Sequence, residues 1–430
     1  MTSEHSAEAT SAASAGLSRR GLLALGGGIG LAVGATAGGV VGTAASKSTN
    51  RASDPRYSFF GEHQSGITTP AQDRLHFAAF DVRDGATVAE LIALLQEWTS
   101  AATRLMMGLE VSEKGAFGGG AYLPPDDTGE AADLGTAGLT ITFGFGRSLF
   151  RTTDGADRFG LAALLPSDFS ELPTMVNDFL RPELSGGDLC IQACANDPQV
   201  AVHAVRNLTR IAIGRATLRW SQLGFGRTSS TSTTQQTPRN LFGQKDGTNN
   251  IKAEEADRLR QNVWITQGPP GIVGGSYLIA RRIAMNIEVW DGVQLQEQNR
   301  VLGRDKKTGA PLSGGGEFTA PDFSAHDSSG MPLIDPRSHV SRAHPDNNNG
   351  IAMLRRGYNY VDGNDGTGRL DAGLFFIAFV NQPARFATVH TNMARDDMFA
   401  EYLKTTSSSV FLVPAGVLED EYIGQALFEA

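Results

Sequence analysis

Only two cysteines occur in the 430-residue sequence, Cys190 and Cys194, within the stretch GDLCIQACAND. Its apolar residues and the flanking Gly and Asp favour a strand, on which both thiols face one side. Their Cα atoms are then about 13 Å apart. A disulfide needs less than about 7 Å, so we expect two small buried hydrophobic side chains rather than a bond.

Positively charged residues are outnumbered, with 37 Lys and Arg against 46 Asp and Glu and a formal charge of -9. Nucleic acids and anionic membrane surfaces require a positive face on a binding protein, so neither is expected as the main partner. No block of like charges changes that expectation. A chain of 430 residues is too long for one small core, which predicts two domains or one large duplicated domain.

The N-terminal segment 1–45 has the features of an export signal. Arg19 and Arg20 precede about twenty weakly apolar residues rich in Gly and Ala, followed by small residues near Ala45. This pattern resembles a twin-arginine signal cut near Ala45, which predicts an exported protein with no membrane span after cleavage. An uncleaved anchor is the alternative, because about 20 residues span a bilayer, but the many glycines favour cleavage.

The rest of the chain alternates between strand and helix patterns. Residues 46–73 form a polar tether, residues 74–226 a first domain and residues 227–430 a second. The first has strands at 74–82, 138–146, 187–195 and 216–226 and helices at 87–106 and 197–214. The second has a strand running into a helix at 274–290, strands at 350–361, 373–382 and 409–416, and a helix at 397–406. Two halves of similar order predict an α+β fold of duplicated ferredoxin-like units with antiparallel sheets, similar to a dimeric α+β barrel.

Three segments of the second half carry residues suited to chemistry. In NLFGQKDGTNN (240–250), Asp246 stands between Gly243 and Gly247, although an Asp-Gly pair alone predicts only a turn. The long loop 304–348, of a length usually functional or disordered, ends in SHVSRAHP with two histidines, and MLRRGYNY brings two arginines into an apolar strand. A buried guanidinium needs an anion or another partner.

The histidines are compatible with two kinds of metal site. A non-haem site needs two or three ligands close together, and His326, His339 and His344 are the candidates. One axial histidine is what haem iron uses, and His339 is the stronger candidate because His344 precedes a proline.

These segments resemble the dye-decolourising peroxidase (DyP-type) family. NLFGQKDGTNN is similar to its G-x-x-D-G motif, SHVSRAHP to its axial-histidine segment and MLRRGYNY to its arginine strand. GLFFIAFVNQ and VFLVPAG extend the resemblance, which covers most of the chain from about residue 57 and is strongest from residue 238. The Ser/Thr-rich stretch 227–238 carries no motif and stays unassigned.

The resemblance implies one non-covalent haem b in the C-terminal half, hydrogen peroxide as substrate and an organic electron donor. His339 is then the proximal iron ligand, with Asp397 or its neighbour Asp396 as hydrogen-bond partner. Asp246 is the distal carboxylate, and Arg355, with Arg356 as the alternative, is the distal arginine, since strand alternation admits only one of the two. The residues expected to border the haem are Gly247, Thr248 and Asn249, and the candidates for relaying electrons are Tyr358, Tyr360, Tyr402 and Trp264.

In this scheme Asp246 moves a proton between the peroxide oxygens and Arg355 stabilises the charge that develops as their bond breaks. A free carboxylate titrates near about 3.9, so an aspartate base predicts activity weighted to acidic pH. The rival function is an exported haem-handling protein of iron acquisition that uses the same pocket. The sequence leaves open the natural electron donor and a homo-oligomeric state.

Overall fold

The fold is that of a computed structural model, which describes residues 54–430. The predicted export signal and the first part of the tether lie outside the described residues. Between residue 54 and residue 73 the chain contains no helix or strand. Among the described residues, no helix is both long enough and apolar enough to cross a membrane.

The described residues form nine strands, and eight of them close an antiparallel barrel. The strands are β1 (Arg74–Val82), β2 (Thr140–Gly146), β3 (Leu189–Ala195), β4 (Ala216–Arg227), β5 (Ser276–Met285), β6 (Leu354–Arg355), β7 (Tyr358–Asn364), β8 (Leu370–Val380) and β9 (Leu403–Val413). The order runs β5-β9-β2-β3-β1-β4-β7-β8, and pairing of β8 with β5 closes the ring. The short strand β6 pairs with β8 on the same edge as β7 and immediately precedes β7 in the chain.

Each half of the barrel has the strand order of a ferredoxin-like unit. In the N-terminal half the sheet order is β2-β3-β1-β4, and in the C-terminal half it is β7-β8-β5-β9. The two sheets join where β4 pairs with β7 and where β2 pairs with β9. The predicted fold class is therefore confirmed.

The helices lie between and after these strands. They are α1 (Val88–Met106), α2 (Arg147–Phe150), α3 (Pro198–Ile211), α4 (Ala256–Asn262), α5 (Ile287–Asp291), α6 (Leu295–Leu302), α7 (His339–Ala343), α8 (Pro383–Asp396) and α9 (Gln425–Phe428). Short 3-10 helices occupy Ala162–Leu164, Pro182–Leu184, Pro345–Asn347 and Met398–Tyr402. Thr87 begins α1 with a capping box, in which Thr87 and Glu90 each bond the backbone of the other.

Alternation along the strands separates two cores. On β1, Leu75, Phe77 and Ala79 point into the barrel, where they pack against residues of both halves. The intervening residues Ala78 and Phe80 point outward and pack with side chains of α1 and α3. Both faces of β1 are covered, which explains why residues 77–80 are all apolar and buried. Cys190 and Cys194 are free, buried and part of the barrel interior, as predicted.

Two elements of the C-terminal half differ from the prediction. The predicted helix at 397–406 is wrong: α8 begins at Pro383 and ends at Asp396, and β9 begins at Leu403. Met398–Tyr402 is only a 3-10 turn between them. From Leu403 onward the segment pairs with β5, because strand pairing in the closed barrel overrides its local helical pattern. The predicted strand at 350–361 is divided into β6 and β7.

Candidate active site

A large cavity lies on the outer face of the C-terminal sheet. Its walls come from β5 and β8, the loop around Asp246, α7, α8 and the 3-10 turn after α8. Its apolar lining includes Met285, Leu302, Leu374, Phe376, Val389 and Met393. The volume of the cavity, counted as the space that the centre of a water molecule can reach, is about 290 Å³. One water needs about 10–15 Å³ on this measure, so the cavity has room for far more than a few waters.

His339 forms one wall of the cavity and is the first residue of α7. Its Nδ1 lies 2.8 Å from Oδ2 of Asp397, which is 5% exposed. Burial lowers the pKa of His339, but the charge and hydrogen bond of Asp397 outweigh burial and leave the pKa raised. Because Nδ1 is engaged, Nε2 is the ring nitrogen left to bind a metal.

Asp397 is itself held in place. Its other carboxylate oxygen, Oδ1, accepts a hydrogen bond from the Phe399 N–H at 2.9 Å, in the 3-10 turn that follows α8. Its neighbour Asp396 points away from the cavity and pairs with Arg342. The structure therefore brings Asp397, and not Asp396, to the histidine.

Asp246 and Arg355 form a second pair on the wall of the same cavity. Nη1 of Arg355 donates to Oδ1 of Asp246 at 2.9 Å. The other carboxylate oxygen accepts from the side chain of Asn240 at 3.2 Å. Both side chains are largely buried, with 28% of Arg355 and 15% of Asp246 exposed. The cavity thus has a histidine–carboxylate pair and a separate carboxylate–guanidinium pair.

The glycines around Asp246 shape its loop. Gly243 and Gly247 have φ of 74° and 85°, in the left-handed region that favours glycine. A Cβ on Gly247 would lie 3.0 Å from the Cα of Ser229, so the loop also needs glycine for close packing. Upstream, Arg239 donates to the carbonyls of Gly243 and Lys306, each at 2.7 Å. The loop is therefore a turn, and Arg239 ties it to the segment that follows α6.

Strand alternation sends the two adjacent arginines in opposite directions. Leu354 packs in the barrel interior, so Arg355 faces the outer side and the cavity. Arg356 is fully buried and donates to the carbonyl of Thr69 and the side chain of Gln72. Arg355 is consequently the arginine available at the cavity.

The other predicted site residues divide into two groups. Gly247, Thr248 and Asn249 line the cavity together with His344. His326 is exposed, lies outside the cavity lining and contacts the carbonyl of Ser324 at 2.6 Å. Within residues 54–430, no group of three or more His, Cys, Asp or Glu side chains could hold a metal ion.

Comparison with known proteins identifies the family. Residues 64–226 match the family "Dyp-type peroxidase, N-terminal", and residues 237–418 match "Dyp-type peroxidase, C-terminal". The chain belongs to the Dyp-type peroxidase family.

The matches to individual Dyp-type relatives extend over most of the chain. The deferrochelatase of Escherichia coli is 34% identical over 386 residues, 86% of this chain and 86% of that protein. Ferric DtpA from Streptomyces lividans is 39% identical with a TM-score of 0.79, and the match covers 88% of this chain and 98% of that chain. A DyP-type peroxidase from Cellulomonas bogoriensis is 34% identical with a TM-score of 0.77, covering 88% and 99%.

The cavity of this Dyp-type chain fits the haem that the family implies. Its mostly apolar walls suit a flat porphyrin. His339 supplies one imidazole nitrogen whose partner nitrogen is already bonded to a carboxylate, the usual arrangement for a metal-binding histidine. A single histidine, rather than a cluster, is the ligand set of a haem iron.

Aromatic residues connect the histidine wall to the protein surface. Phe399 lies 5.0 Å from His339 between ring centroids, Trp290 lies 5.7 Å from Phe399, and Tyr402 lies 4.9 Å from Trp290. Tyr402 is partly exposed. Tyr358 and Tyr360 are buried inside the barrel, and Trp264 stacks on His63 with centroids 3.7 Å apart. Among the four candidates, Tyr402 is the one connected to His339 through packed rings.

Several residues of the site were missed by the sequence interpretation. His390 lines the cavity, and burial lowers its pKa to about 4, with the nearby charge of Arg281 acting in the same direction. Arg281 also lines the cavity and forms a buried ion pair with Asp178. His390 lies on α8, which was not predicted, so its position on a cavity-facing helix could not be inferred.

Proposed function

We propose that this chain is a haem-dependent peroxidase, which reduces hydrogen peroxide and oxidises dyes, phenolics or other bulky electron donors. The cofactor is one non-covalent haem b per chain, with His339 as proximal ligand. One observation supports this above all. The His339–Asp397 pair and the Asp246–Arg355 pair line the same cavity, so one porphyrin can contact both.

When bound, the haem supplies the iron at which peroxide is reduced. Asp397 accepts a hydrogen bond from Nδ1–H of His339. This bond fixes the orientation of the ring and makes Nε2 a stronger electron donor to a metal. Gly247, Thr248 and Asn249 line the cavity on the loop that carries Asp246, where they would border the porphyrin.

Asp246 and Arg355 act on the peroxide itself. The carboxylate of Asp246 takes the proton from one peroxide oxygen and delivers it to the other, so that water can leave. The guanidinium of Arg355 stabilises the negative charge that develops as the O–O bond breaks.

A second candidate function is haem handling in iron acquisition. The name deferrochelatase, carried by relatives that are 34% identical, favours it. Such a protein would use the same cavity to bind haem without needing the Asp246–Arg355 pair for turnover.

The test is the absorbance of the haem-loaded protein before and after peroxide addition, for the wild type, His339→Ala and Asp246→Asn. A peroxidase shows an intense violet band that His339→Ala weakens or shifts. Asp246→Asn then retains the band and loses peroxide turnover by at least about 100-fold, the lower end of the range for a proton-transfer group. A wild type that binds haem but turns over peroxide no faster than Asp246→Asn would support the haem-handling function instead.

Export through the twin-arginine route is a further part of the proposal, motivated by Arg19 and Arg20. It predicts that the protein in the exported fraction begins near residue 46 and that replacing both arginines by lysine prevents export. N-terminal sequencing of that fraction is the measurement. An exported protein that still begins at Met1 would contradict cleavage.

A further inference from the structure

Asn250 joins the loop of Asp246 to the strand of Arg355. Its Oδ1 accepts the backbone N–H of Arg355 at 2.7 Å, and its Nδ2 donates to the backbone carbonyl of Arg355 at 2.8 Å. The side chain of Asn250 is 3% exposed and lies outside the lining of the cavity. One carboxamide therefore satisfies both backbone groups of a residue 105 positions away in the sequence.

This pairing takes the place of a neighbouring strand. Strand β6 contains only Leu354 and Arg355, and it pairs with β8 along one edge. The N–H of the following residue, Arg356, donates towards β8, to the carbonyl of Ile377 at 2.9 Å. The N–H and carbonyl of Arg355 therefore face the other way, where Asn250 supplies the donor and acceptor that a strand would supply.

The same loop contacts Arg355 at both its backbone and its side chain. A turn closed by the N–H of Asn250 and the carbonyl of Gly247, at 3.0 Å, separates Asp246 from Asn250. At one end of that turn the Asp246 carboxylate accepts from the Arg355 guanidinium at 2.9 Å. At the other end Asn250 fixes the peptide planes of Arg355, and these set the direction of its side chain.

The Ser/Thr-rich stretch 227–238, which carries no motif, contacts both Asn250 and Gly247. The carbonyl of Ser230 accepts from Asn250 Nδ2 at 3.0 Å and from Lys252 Nζ at 2.7 Å. Ser229 packs closely against Gly247, where a Cβ would lie 3.0 Å from the Cα of Ser229. Residues 228–232 are all buried, so this stretch is a polar backing for the loop rather than a linker.

We propose that Asn250 is a positioning residue, which holds the backbone of Arg355 so that the guanidinium faces the cavity beside Asp246. Without this restraint, rotation of the short strand would let Arg355 leave the carboxylate, because adjacent strand residues face opposite sides. The proposal rests on the proposed function for the role of Arg355 in peroxide turnover. The backbone restraint itself does not depend on haem.

The first test uses the haem-loaded protein and fluoride, an anion that binds ferric haem iron and would accept a hydrogen bond from the guanidinium of Arg355. Asn250→Ala is expected to weaken fluoride binding and to lower kcat/KM for peroxide, each by roughly 10- to 100-fold, the range typical of residues that orient a ligand-contacting group. Asn250→Asp, which keeps the acceptor for the Arg355 N–H but places an oxygen against the Ser230 and Arg355 carbonyls, is expected to do the same.

A double-variant cycle separates positioning from general stability. If Asn250 acts through Arg355, the Asn250→Ala/Arg355→Leu protein binds fluoride as weakly as Arg355→Leu alone. Additive losses would overturn the proposal. Asn207→Ala removes a buried asparagine of α3 that does not line the cavity, and it is expected to leave fluoride binding unchanged.

Hydrogen exchange of the haem-free protein gives an independent result. Asn250→Ala is expected to speed exchange of the Arg355 amide, whereas Asn207→Ala is not. Unchanged exchange in Asn250→Ala would overturn the proposed restraint. A wild-type protein that binds no haem would instead refute the proposed function, while the exchange result would still decide whether Asn250 restrains Arg355.

Discussion

Nη1 of Arg355 and Oδ1 of Asp246 lie 2.9 Å apart although 109 residues separate them in the sequence. The planar guanidinium presents its donors in a fixed geometry that a lysine ammonium cannot reproduce. Arg355→Lys is therefore expected to retain haem binding but to lower kcat/KM for peroxide by roughly 100-fold, as for loss of one charge-stabilising donor.

Steady-state kinetics at saturating donor measure the effect of Arg355→Lys. The matched control is Arg342→Lys, since Arg342 pairs with Asp396 outside the cavity lining. Arg355→Lys activity within threefold of the wild type would contradict a role for the guanidinium in peroxide reduction.

The neighbouring carboxylates Asp397 and Asp396 allow a test of the histidine wall. Asp397→Asn replaces the charged acceptor of His339 Nδ1, so the imidazole becomes a weaker iron ligand. Haem dissociation is expected to quicken by about 10- to 100-fold, and the reduction potential is expected to rise.

Haem transfer to an excess of apomyoglobin measures the dissociation rate, and a redox titration measures the potential. Asp396→Asn, one residue away, changes the same charge but removes only the pair with Arg342. Equal effects of the two substitutions would show that charge alone, rather than the bond to His339, is responsible.

Arg356 should behave in the opposite way to Arg355. Its guanidinium is fully buried and donates to Thr69 and Gln72, so Arg356→Met leaves buried acceptors without partners. The free energy of unfolding is expected to fall by roughly 2–5 kcal/mol, while the folded protein retains peroxide turnover. Chemical denaturation measures the loss. Arg355→Met should show the reverse, with lost turnover and a smaller change in stability.

Tyr402 is the candidate through which bulky donors deliver electrons. It is partly exposed and connects to His339 through Trp290 and Phe399, with successive ring centroids less than 6 Å apart. Tyr402→Phe is expected to slow oxidation of a bulky dye while oxidation of a small donor that enters the cavity stays unchanged. Equal kcat values for the dye in Tyr402→Phe and the wild type would exclude this path. Tyr360→Phe, inside the barrel, is the matched control.

The strands and the residues of the motifs could be predicted from the sequence, because they depend on local patterns. The apolar strand pattern predicted β1 at 74–82, the bounds it has in the structure, and the Asp-Gly pair predicted the turn at Asp246. Alternation also predicted that only one of Arg355 and Arg356 faces the cavity, but not which one. That choice depends on Leu354, whose burial in the barrel interior sets the side of each neighbour.

The residues that the sequence missed depend on long-range pairing. Asn250 bonds to a residue 105 positions away, and Arg281 pairs with Asp178 from a distant loop. Helix α8 was missed because its many Ala, Thr, Asn and Arg residues make it less hydrophobic overall than α1, and the helix was placed instead on the 3-10 turn and the start of β9. These features depend on how distant segments pair in the closed barrel, and no local sequence pattern indicates that pairing.

His76 is expected to control part of the stability of the haem-free protein in acid. Its imidazole lies on β1 between β3 and β4, opposite Ala193 and Leu223, and its buried Nδ1 has no hydrogen-bond partner. Burial lowers the pKa of His76 from 6.5 to about 4. The folded protein therefore keeps the ring neutral in a pH range where the unfolded chain takes up a proton.

The contribution of His76 to the free energy of unfolding is fully present above pH 6.5. It is lost as the pH falls towards 4, and in this range the free energy of unfolding changes by up to about 1.4 kcal/mol per pH unit. His76→Gln cannot take up this proton, so its free energy of unfolding should depend less steeply on pH between 6.5 and 4. Urea denaturation at a series of pH values measures the slopes. His326→Gln, which changes an exposed histidine, should keep the wild-type slope. If His76→Gln also keeps it, then protonation of another buried group, such as His390 on the cavity wall, controls the acid sensitivity.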